Sequence, residues 1–422
     1  VHARRERLVS VGVCSWGVDY GLLDAAGGLV ENPVCYRDAR TDGAIESVTR
    51  RVPHDEIFRR TGLQFLPFNT LYQLDAHRRA GLPPAAERLL MIPDLCHAAL
   101  SGHATGEYTN ASTTQMLSLR TRDWDRELVE RVGLPPSLLP PLLQPGADLG
   151  PLGAALAHRP GLADTRVVLP ATHDTASAVL GTPLQPGWAY VSSGTWSLVG
   201  VERTDALTAP DVARANFTNE GGAFGTIRLL KNVMGLWILE QCRREWSAAG
   251  RDVSIADLTA AVSAHDAPLV LIDPDDPRLL APASMLEALR ALLAESGHRR
   301  PADPPALAKI VLDSLAARYA EVVETIEALT GEAVPGIHVV GGGSLNAYLN
   351  QATADASGRP VLAGPVEATA LGNLIVQAMA AGCFSTVAEA RRHVAAATRC
   401  RRYVPRADSP FQRVPRRPEV VA

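Results

Sequence analysis

Three segments of this chain share one pattern: a short apolar run ends on small or polar residues and passes at once into a stretch rich in small residues. Val167-Val-Leu-Pro-Ala171 leads through His173-Asp174-Thr175 into residues 176–180. Ile337-His-Val-Val340 leads through Gly341-Gly-Gly-Ser344 into 345–356. Val361-Leu362 leads through Gly364-Pro365 into an alanine-rich stretch over 367–381. A strand that feeds directly into a helix implies α/β layering, in which ligands lie beyond the carboxyl ends of the strands. Elsewhere, 8–14 reads as a buried strand, and 18–30 as a β-meander turning at Asp24-Ala-Ala-Gly-Gly28. Residues 40–135 read as mostly helical, 135–151 as a proline-rich connector, 188–201 as two strands around Ser192-Ser-Gly-Thr-Trp196, and 226–330 as largely helical, including 307–329. A break at 182–187 divides the chain into halves, each entered through β structure. The basic, proline-rich end reads as a mobile tail.

Composition removes several function classes. With 46% hydrophobic and 20% charged residues, the chain is neither disordered nor collagen-like. The formal net charge of −4 gives no global pull on nucleic acid or anionic lipid, so neither is expected as a partner. No apolar run is long enough for a membrane span, and 8–13 is too short and interrupted for a secretory h-region. Six scattered cysteines without C-x-x-C imply reduced thiols and a cytoplasmic location. The eleven histidines show no metal-ligand spacing, so no metal site is expected among the side chains. Ser193 lacks the G-x-S-x-G context of a serine hydrolase. Lys231 and Lys309 are the only lysines, and neither sits in a Walker or protein-kinase context. A nucleotide here has to be held by glycine loops and other groups.

His173-Asp174-Thr175 sits where a strand becomes a helix. Asp174 there is either a proton acceptor for a substrate hydroxyl or, with Thr175, a helix cap. Ser192-Ser193-Gly194-Thr195 is either a phosphate-binding turn or a plain hairpin. Gly341-Gly342-Gly343 suits close approach of a nucleotide at a helix's positive end. Gln64, Asn69, Asn110 and Asn232 are amides that could bond sugar hydroxyls or satisfy backbone groups. Trp16 and Trp196 could stack on a sugar or pack in the core.

Taken together, the motifs resemble the FGGY family of carbohydrate kinases, and within it the kinases of L-rhamnulose. The matching runs are Val11-Gly-Val-Cys-Ser-Trp-Gly-Val-Asp-Tyr20, Tyr36-Arg-Asp-Ala-Arg-Thr41, Gly62-Leu-Gln-Phe-Leu-Pro-Phe-Asn-Thr-Leu-Tyr-Gln-Leu74 and Glu107-Tyr-Thr-Asn-Ala-Ser-Thr-Thr-Gln115. They continue with His173-Asp-Thr-Ala-Ser-Ala178, Ser192-Ser-Gly-Thr-Trp-Ser-Leu198, Thr218-Asn-Glu-Gly-Gly222, Leu230-Lys-Asn-Val-Met-Gly-Leu-Trp237, Val340-Gly-Gly-Gly-Ser-Leu-Asn346 and Gly364-Pro-Val-Glu-Ala-Thr369. The resemblance implies two actin-like (ribonuclease H-like) domains around a cleft. The expected segments are a sugar-binding domain over 1–184, a nucleotide-binding domain over 185–390 and the tail over 391–422.

The implied reaction is transfer of the γ-phosphoryl of ATP, with Mg²⁺, to the 1-hydroxyl of L-rhamnulose, a step of L-rhamnose breakdown. The resemblance makes Asp174 the catalytic base and puts Gly17, His173, Thr175 and Asn232 on the sugar. It puts Thr195 near the phosphates, Gly342 near the adenosine, and Glu240 at a nucleotide position where the family has Gln. Two features depart from the family. Cys14 stands where an Asp is usual, and the opening Asp-x-Gly-x-Ser phosphate loop is missing before Val1. The expectation is therefore a first domain truncated at its N-terminus, which would bind Mg-ATP poorly. Alternatives are a kinase of another ketose, such as L-fuculose or xylulose, and a catalytically impaired sugar-binding fragment. The sequence does not give the oligomeric state.

Overall fold

The structure, a computed structural model, describes residues 7–265, 268–301 and 303–413. The chain forms two compact units. The first comprises Val1–Pro183, Glu202–Leu229 and Ala368–Ala395; the second comprises Leu184–Val201, Leu230–Glu367 and Ala396–Ala422. The units thus differ from the linear segments 1–184 and 185–390 expected from the sequence. The second return to the first unit has a packing cause. Helix Asp174–Gly181 and helix Ala368–Ala380 meet backbone to backbone. A Cβ on Gly372 would run into the Ser177 carbonyl, and one on Gly181 into that of Ala368. Ala176, Leu180, Ile375 and Val376 close this contact together with Ala171 and Ala223. A helix read as part of the second half therefore supports the helix that begins at Asp174.

In the first unit, Ser10–Val11 pairs in parallel with Arg166–Val168, which pairs antiparallel with Asp148–Pro151. The buried strand expected over 8–14 is shorter and less covered: Ser10 and Val11 are half-buried, and Leu8 and Val9 are 40% and 62% exposed. Among the described residues it pairs only with Arg166–Val168, at the edge of a three-stranded sheet, where it is less covered than a central strand. Tyr20–Leu23 pairs antiparallel with Arg88–Met91, a strand inside the stretch read as helical. Leu89, Leu90 and Met91 are all buried, so no alternation marks them as a strand. These strands and the helices His54–Thr61 and Thr70–Ala80 share a core that includes Leu22, Ile57, Leu71, Tyr72, Leu89 and Met116. Each such side chain contributes roughly 1.5–3 kcal/mol of burial.

The strands that carry the second unit lie in the order Trp196–Arg203, Ala189–Ser193, Ile337–Val340, Val361–Ala363, Arg401–Tyr403. Ala189–Ser193, Ile337–Val340 and Val361–Ala363 run parallel. Ile227–Met234 corrects the helical reading of 226–330. It is buried almost throughout, Arg228 and Lys231 included, which erases a period of two. The 27-residue helix Pro304–Thr330 matches expectation. Asp303 caps it by accepting from the Ala306 N–H, and Gly331 ends it in the left-handed region at φ 70°.

The tail is also corrected. Arg401–Tyr403 adds antiparallel to Val361–Ala363, Tyr403 and Phe411 are buried, and Arg406 donates to the fully buried Asp355 carboxylate at 2.6 and 2.9 Å. A buried carboxylate needs such a partner, and that pairing holds the segment down. Residues 414–422 lie outside the described residues.

Candidate active site

The parallel strands of the first unit deliver two segments to one place. Beyond Val11 and Val168 the chains stay side by side: Ser15 N–H donates to Thr172 O, and Asp174 N–H to Ser15 O, both at 2.9 Å. His173 is the N-cap of the helix and Asp174 its first residue; the His173 side chain makes no capping bond. The Asp174 carboxylate is 44% exposed. Thr175 Oγ1 donates to it at 3.2 Å. The protein packed around Asp174 raises its carboxyl above the ordinary value although one side stays open to water, against the opposing pull of the Thr175 groups and the Arg228 charge. Thr369 Oγ1 donates to the Asp174 carbonyl at 3.2 Å.

Glu107 fixes the approach to Asp174. It is fully buried. Its carboxylate accepts from Thr109 N–H (2.8 Å), Thr109 Oγ1 (2.6 Å), Asn110 N–H (3.3 Å), Thr172 N–H (2.9 Å) and Thr172 Oγ1 (2.7 Å). Burial raises its pKa and these bonds oppose the rise. One side chain therefore ties the short helix Tyr108–Ala111 to the residue before His173.

His173 is buried, and its N–H donates to Thr109 Oγ1 at 3.3 Å. Its Nδ1 lies 3.0 Å from Arg228 Nη2 and 3.5 Å from Glu220 Oε2; its Nε2 lies 3.5 Å from Asp174 Oδ1. Burial, and then the Arg228 charge, hold its pKa well below the usual histidine value.

Gly17 is buried against Thr113, whose Oγ1 lies 2.8 Å from where a Cβ would stand, so only glycine fits. Val18 follows at φ 66°, a strained conformation for a β-branched residue. Three hydrogen bonds hold it: its N–H to Thr113 Oγ1 (3.1 Å), and its carbonyl from Thr70 Oγ1 (2.7 Å) and Gln73 Nε2 (3.1 Å). Trp16 is 48% exposed and donates from Nε1 to Asp19 at 2.9 Å. Cys14 is half-buried, and burial raises its thiol pKa.

In the second unit the carboxyl ends of Ala189–Ser193 and Ile337–Val340 carry the two small-residue loops. Gly341 sits at φ 78°, with the Ser193 carbonyl 2.8 Å from where a Cβ would lie, and a Cβ on Gly343 would collide with the Ser193 side chain. Gly342 is exposed with nothing within 4 Å of that position. Gly194 and Thr195 are exposed at the hairpin turn, and their carbonyls accept from Leu236 N–H (3.0 Å) and Trp237 N–H (3.1 Å) at the start of helix Trp237–Ala248.

Comparison with known proteins decides the family. Residues 2–181 match the N-terminal domain, and 189–381 the C-terminal domain, of the FGGY family of carbohydrate kinases. The chain belongs to that family. Its curated relatives include rhamnulokinases from Pectobacterium carotovorum, 46% identical over 95% of this chain and 80% of that one, and from Enterococcus faecalis, 41% identical over 90% and 77%. Among solved structures, gluconate kinase from Lactobacillus acidophilus has a TM-score of 0.75 at 16% identity, covering 95% of this chain and 80% of that one. Xylulose kinase from the same organism has a TM-score of 0.74, also at 16% identity and with the same coverage. The fold is the two-domain, actin-like (ribonuclease H-like) α/β architecture of FGGY kinases.

The FGGY site residues expected from the sequence fall into two groups. Gly17, His173, Asp174 and Thr175 lie in the first unit, where the backbone bonds of Ser15 join their two segments. Thr195, Asn232, Glu240 and Gly342 lie in the second. Asn232 is half-buried on Ile227–Met234. Glu240 is 39% exposed and pairs with Arg243 (2.7 Å) and Arg244 (3.5 Å) on its own helix. Asn69 donates to Gln64 O and Gln115 Oε1, and Asn110 to Trp16 O and Thr172 O; these two amides serve the protein. Sequence reasoning gave no role to Glu107, Glu220 or Arg228. Glu107 and Glu220 lie inside matched runs, and Arg228 was visible as a lone charge within an apolar run. Among the described residues, no helix is long and apolar enough to cross a membrane.

Proposed function

We propose that this chain is an ATP-dependent kinase that phosphorylates the 1-hydroxyl of L-rhamnulose, giving L-rhamnulose 1-phosphate in L-rhamnose catabolism. The observation that carries this is its similarity, along nearly the whole chain, to rhamnulokinases. In this reading the sugar's O1 attacks the γ-phosphorus, the bond from that phosphorus to the β,γ-bridging oxygen breaks, and ADP leaves. Asp174 takes the O1 proton as the new O–P bond forms. Its exposure supports that role. Gly17, His173, Thr175 and Asn232 bind and orient the sugar.

The nucleotide lies against the glycine loops, with Thr195 toward the phosphates, Gly342 toward the adenosine and Glu240 on the nucleotide side. The open face of Gly342 supports this, because backbone can approach a ligand closely there. Mg²⁺, entering with ATP, would neutralise charge on the phosphates. Among the described residues no group of three or more His, Cys, Asp or Glu is placed to hold a metal ion. Use of ATP and six unpaired cysteines are consistent with the cytoplasm.

The test is ADP release with L-rhamnulose, L-fuculose, D-xylulose, D-gluconate and glycerol. L-Rhamnulose is expected to give the highest kcat/KM, since a site with paired polar groups rejects sugars that leave those groups unpaired. Higher kcat/KM on another sugar would overturn the substrate, and no sugar-dependent ADP release would overturn the activity.

A further inference from the structure

Arg228 is the largest fully buried side chain in the described residues, and it is charged. Its Nε and Nη2 donate to the Gly221 carbonyl at 3.1 and 3.0 Å. Nη2 also lies 3.0 Å from His173 Nδ1 and 3.0 Å from Glu220 Oε2. Glu220 and Arg228 come from strands Thr218–Gly221 and Ile227–Met234, linked by the Gly222 N–H to Thr226 O bond at 2.9 Å. His173, Glu220, Gly221 and Arg228 are buried in the first unit, so their geometry is fixed by packing.

A guanidinium offers only donors. The His173 Nδ1 beside it must therefore accept, and the ring proton sits on Nε2, the atom facing Asp174 at 3.5 Å. Glu220 exerts the opposite pull. Its Oε2 lies 3.5 Å from Nδ1, and without the arginine it would draw a proton onto that atom. The ring would then become an imidazolium, or a neutral tautomer with a bare Nε2 toward Asp174. An imidazolium there would lower the basicity of the neighbouring carboxylate.

We propose that Arg228 is a positioning residue for phosphoryl transfer: it takes the His173 Nδ1 lone pair in competition with Glu220 and so keeps the imidazole neutral, with its Nε2–H turned to Asp174 and the sugar. This rests on the reading of Asp174 as the base. The other titratable groups nearby do not replace Glu220 in the competition. Glu107 is engaged by Thr109, Asn110 and Thr172, the Tyr108 ring packs on Gly221, and Cys14 lies on the Asp174 side.

The test reads the tautomer directly, by long-range ¹H–¹⁵N correlation on protein labelled with ¹⁵N-histidine, with His173→Asn to assign the signal. The parent is expected to show a protonated Nε2 and a bare Nδ1 from pH 6 to 9. Arg228→Met is expected to gain a proton on Nδ1, and to lose about 10- to 100-fold in kcat with a smaller change in KM for L-rhamnulose. Arg228→Met/Glu220→Gln removes the competing carboxylate and is expected to recover roughly tenfold of that loss. Arg228→Lys, which keeps a donor, is expected to hold the parent tautomer. A protonated Nδ1 in the parent would overturn the proposal without any variant having to fold. A double variant that folds yet is no faster than the single would overturn it as well. An error in the choice of sugar would instead show in the parent's substrate panel and leave the tautomer untouched.

Discussion

Glu107→Gln changes one atom of the buried carboxylate on which the segment before Asp174 rests. Of its five hydrogen bonds, three come from backbone N–H groups, which cannot turn away, and two from threonine hydroxyls, which can. The glutamine carbonyl can take the place of Oε2, which receives four of them. The amide NH₂ then faces the Thr109 N–H, donor against donor. One buried N–H left without an acceptor costs about 1–3 kcal/mol. For a unit of this size that corresponds to roughly 2–4 °C in Tm per kcal/mol. The misfit at Thr109 can shift the segments that Glu107 ties together, Thr172 among them, and a displacement of ~1 Å at a reacting group can cost ~10²-fold in rate. Urea unfolding followed by tryptophan fluorescence, with ADP release on the same samples, measures both effects. A variant within about 0.5 kcal/mol of the parent and with unchanged kcat would refute the reasoning that Glu107 holds the site.

Gly372→Ala places a methyl against the Ser177 carbonyl at the helix contact below Asp174. It is expected to destabilise by at least about 1–3 kcal/mol in a thermal or urea melt. Gly343→Ala is expected to lower Tm because of Ser193, whereas Gly342→Ala, with open space around it, should leave Tm unchanged and raise KM for ATP. Equal effects of the two on Tm would contradict the packing of Gly343 on Ser193, and an unchanged KM for ATP in Gly342→Ala would contradict the assignment of Gly342 to the nucleotide. His97 is buried, its Nε2 accepts from the Val13 N–H at 2.9 Å, and burial pushes its pKa down from 6.5 to about 4. The unfolded chain therefore takes up this proton first. Stability is lost as pH falls from 6.5 toward 4, by about 3 kcal/mol for this group. His97→Gln, which can still accept from Val13, should flatten the pH dependence of urea unfolding over that window.

Where a local pattern matched a physical requirement, the sequence could be read. Strand Ile337–Val340, its glycine loop and the helix Ala347–Ser357 follow from apolar residues, then glycine, then helix formers. The Asp174 helix was legible for the same reason. Strands Arg88–Met91 and Ile227–Met234 were not, because burial on both faces removes the alternation that distinguishes a strand from a helix. The docking of Arg401–Tyr403 depends on Asp355 and Val361–Ala363, and the return of Ala368–Ala380 to the first unit depends on Gly181. Those are long-range partners that no local window contains. For the site, motifs marked the partly exposed Asp174 and the buried Gly17, His173 and Thr175 alike. The buried charges behind them, Glu107, Glu220 and Arg228, carry no local signal of their partners.

The most direct measurement of the central claim is L-rhamnulose-dependent ADP release by Asp174→Asn beside the parent, with L-rhamnulose affinity read by calorimetry. Amide for carboxylate keeps the size and removes the basicity. The expected result is a loss of about 10²- to 10⁴-fold in kcat, with affinity for the sugar nearly intact. Retention of more than about a tenth of the parent rate would show that Asp174 is not the base, and would contradict the account.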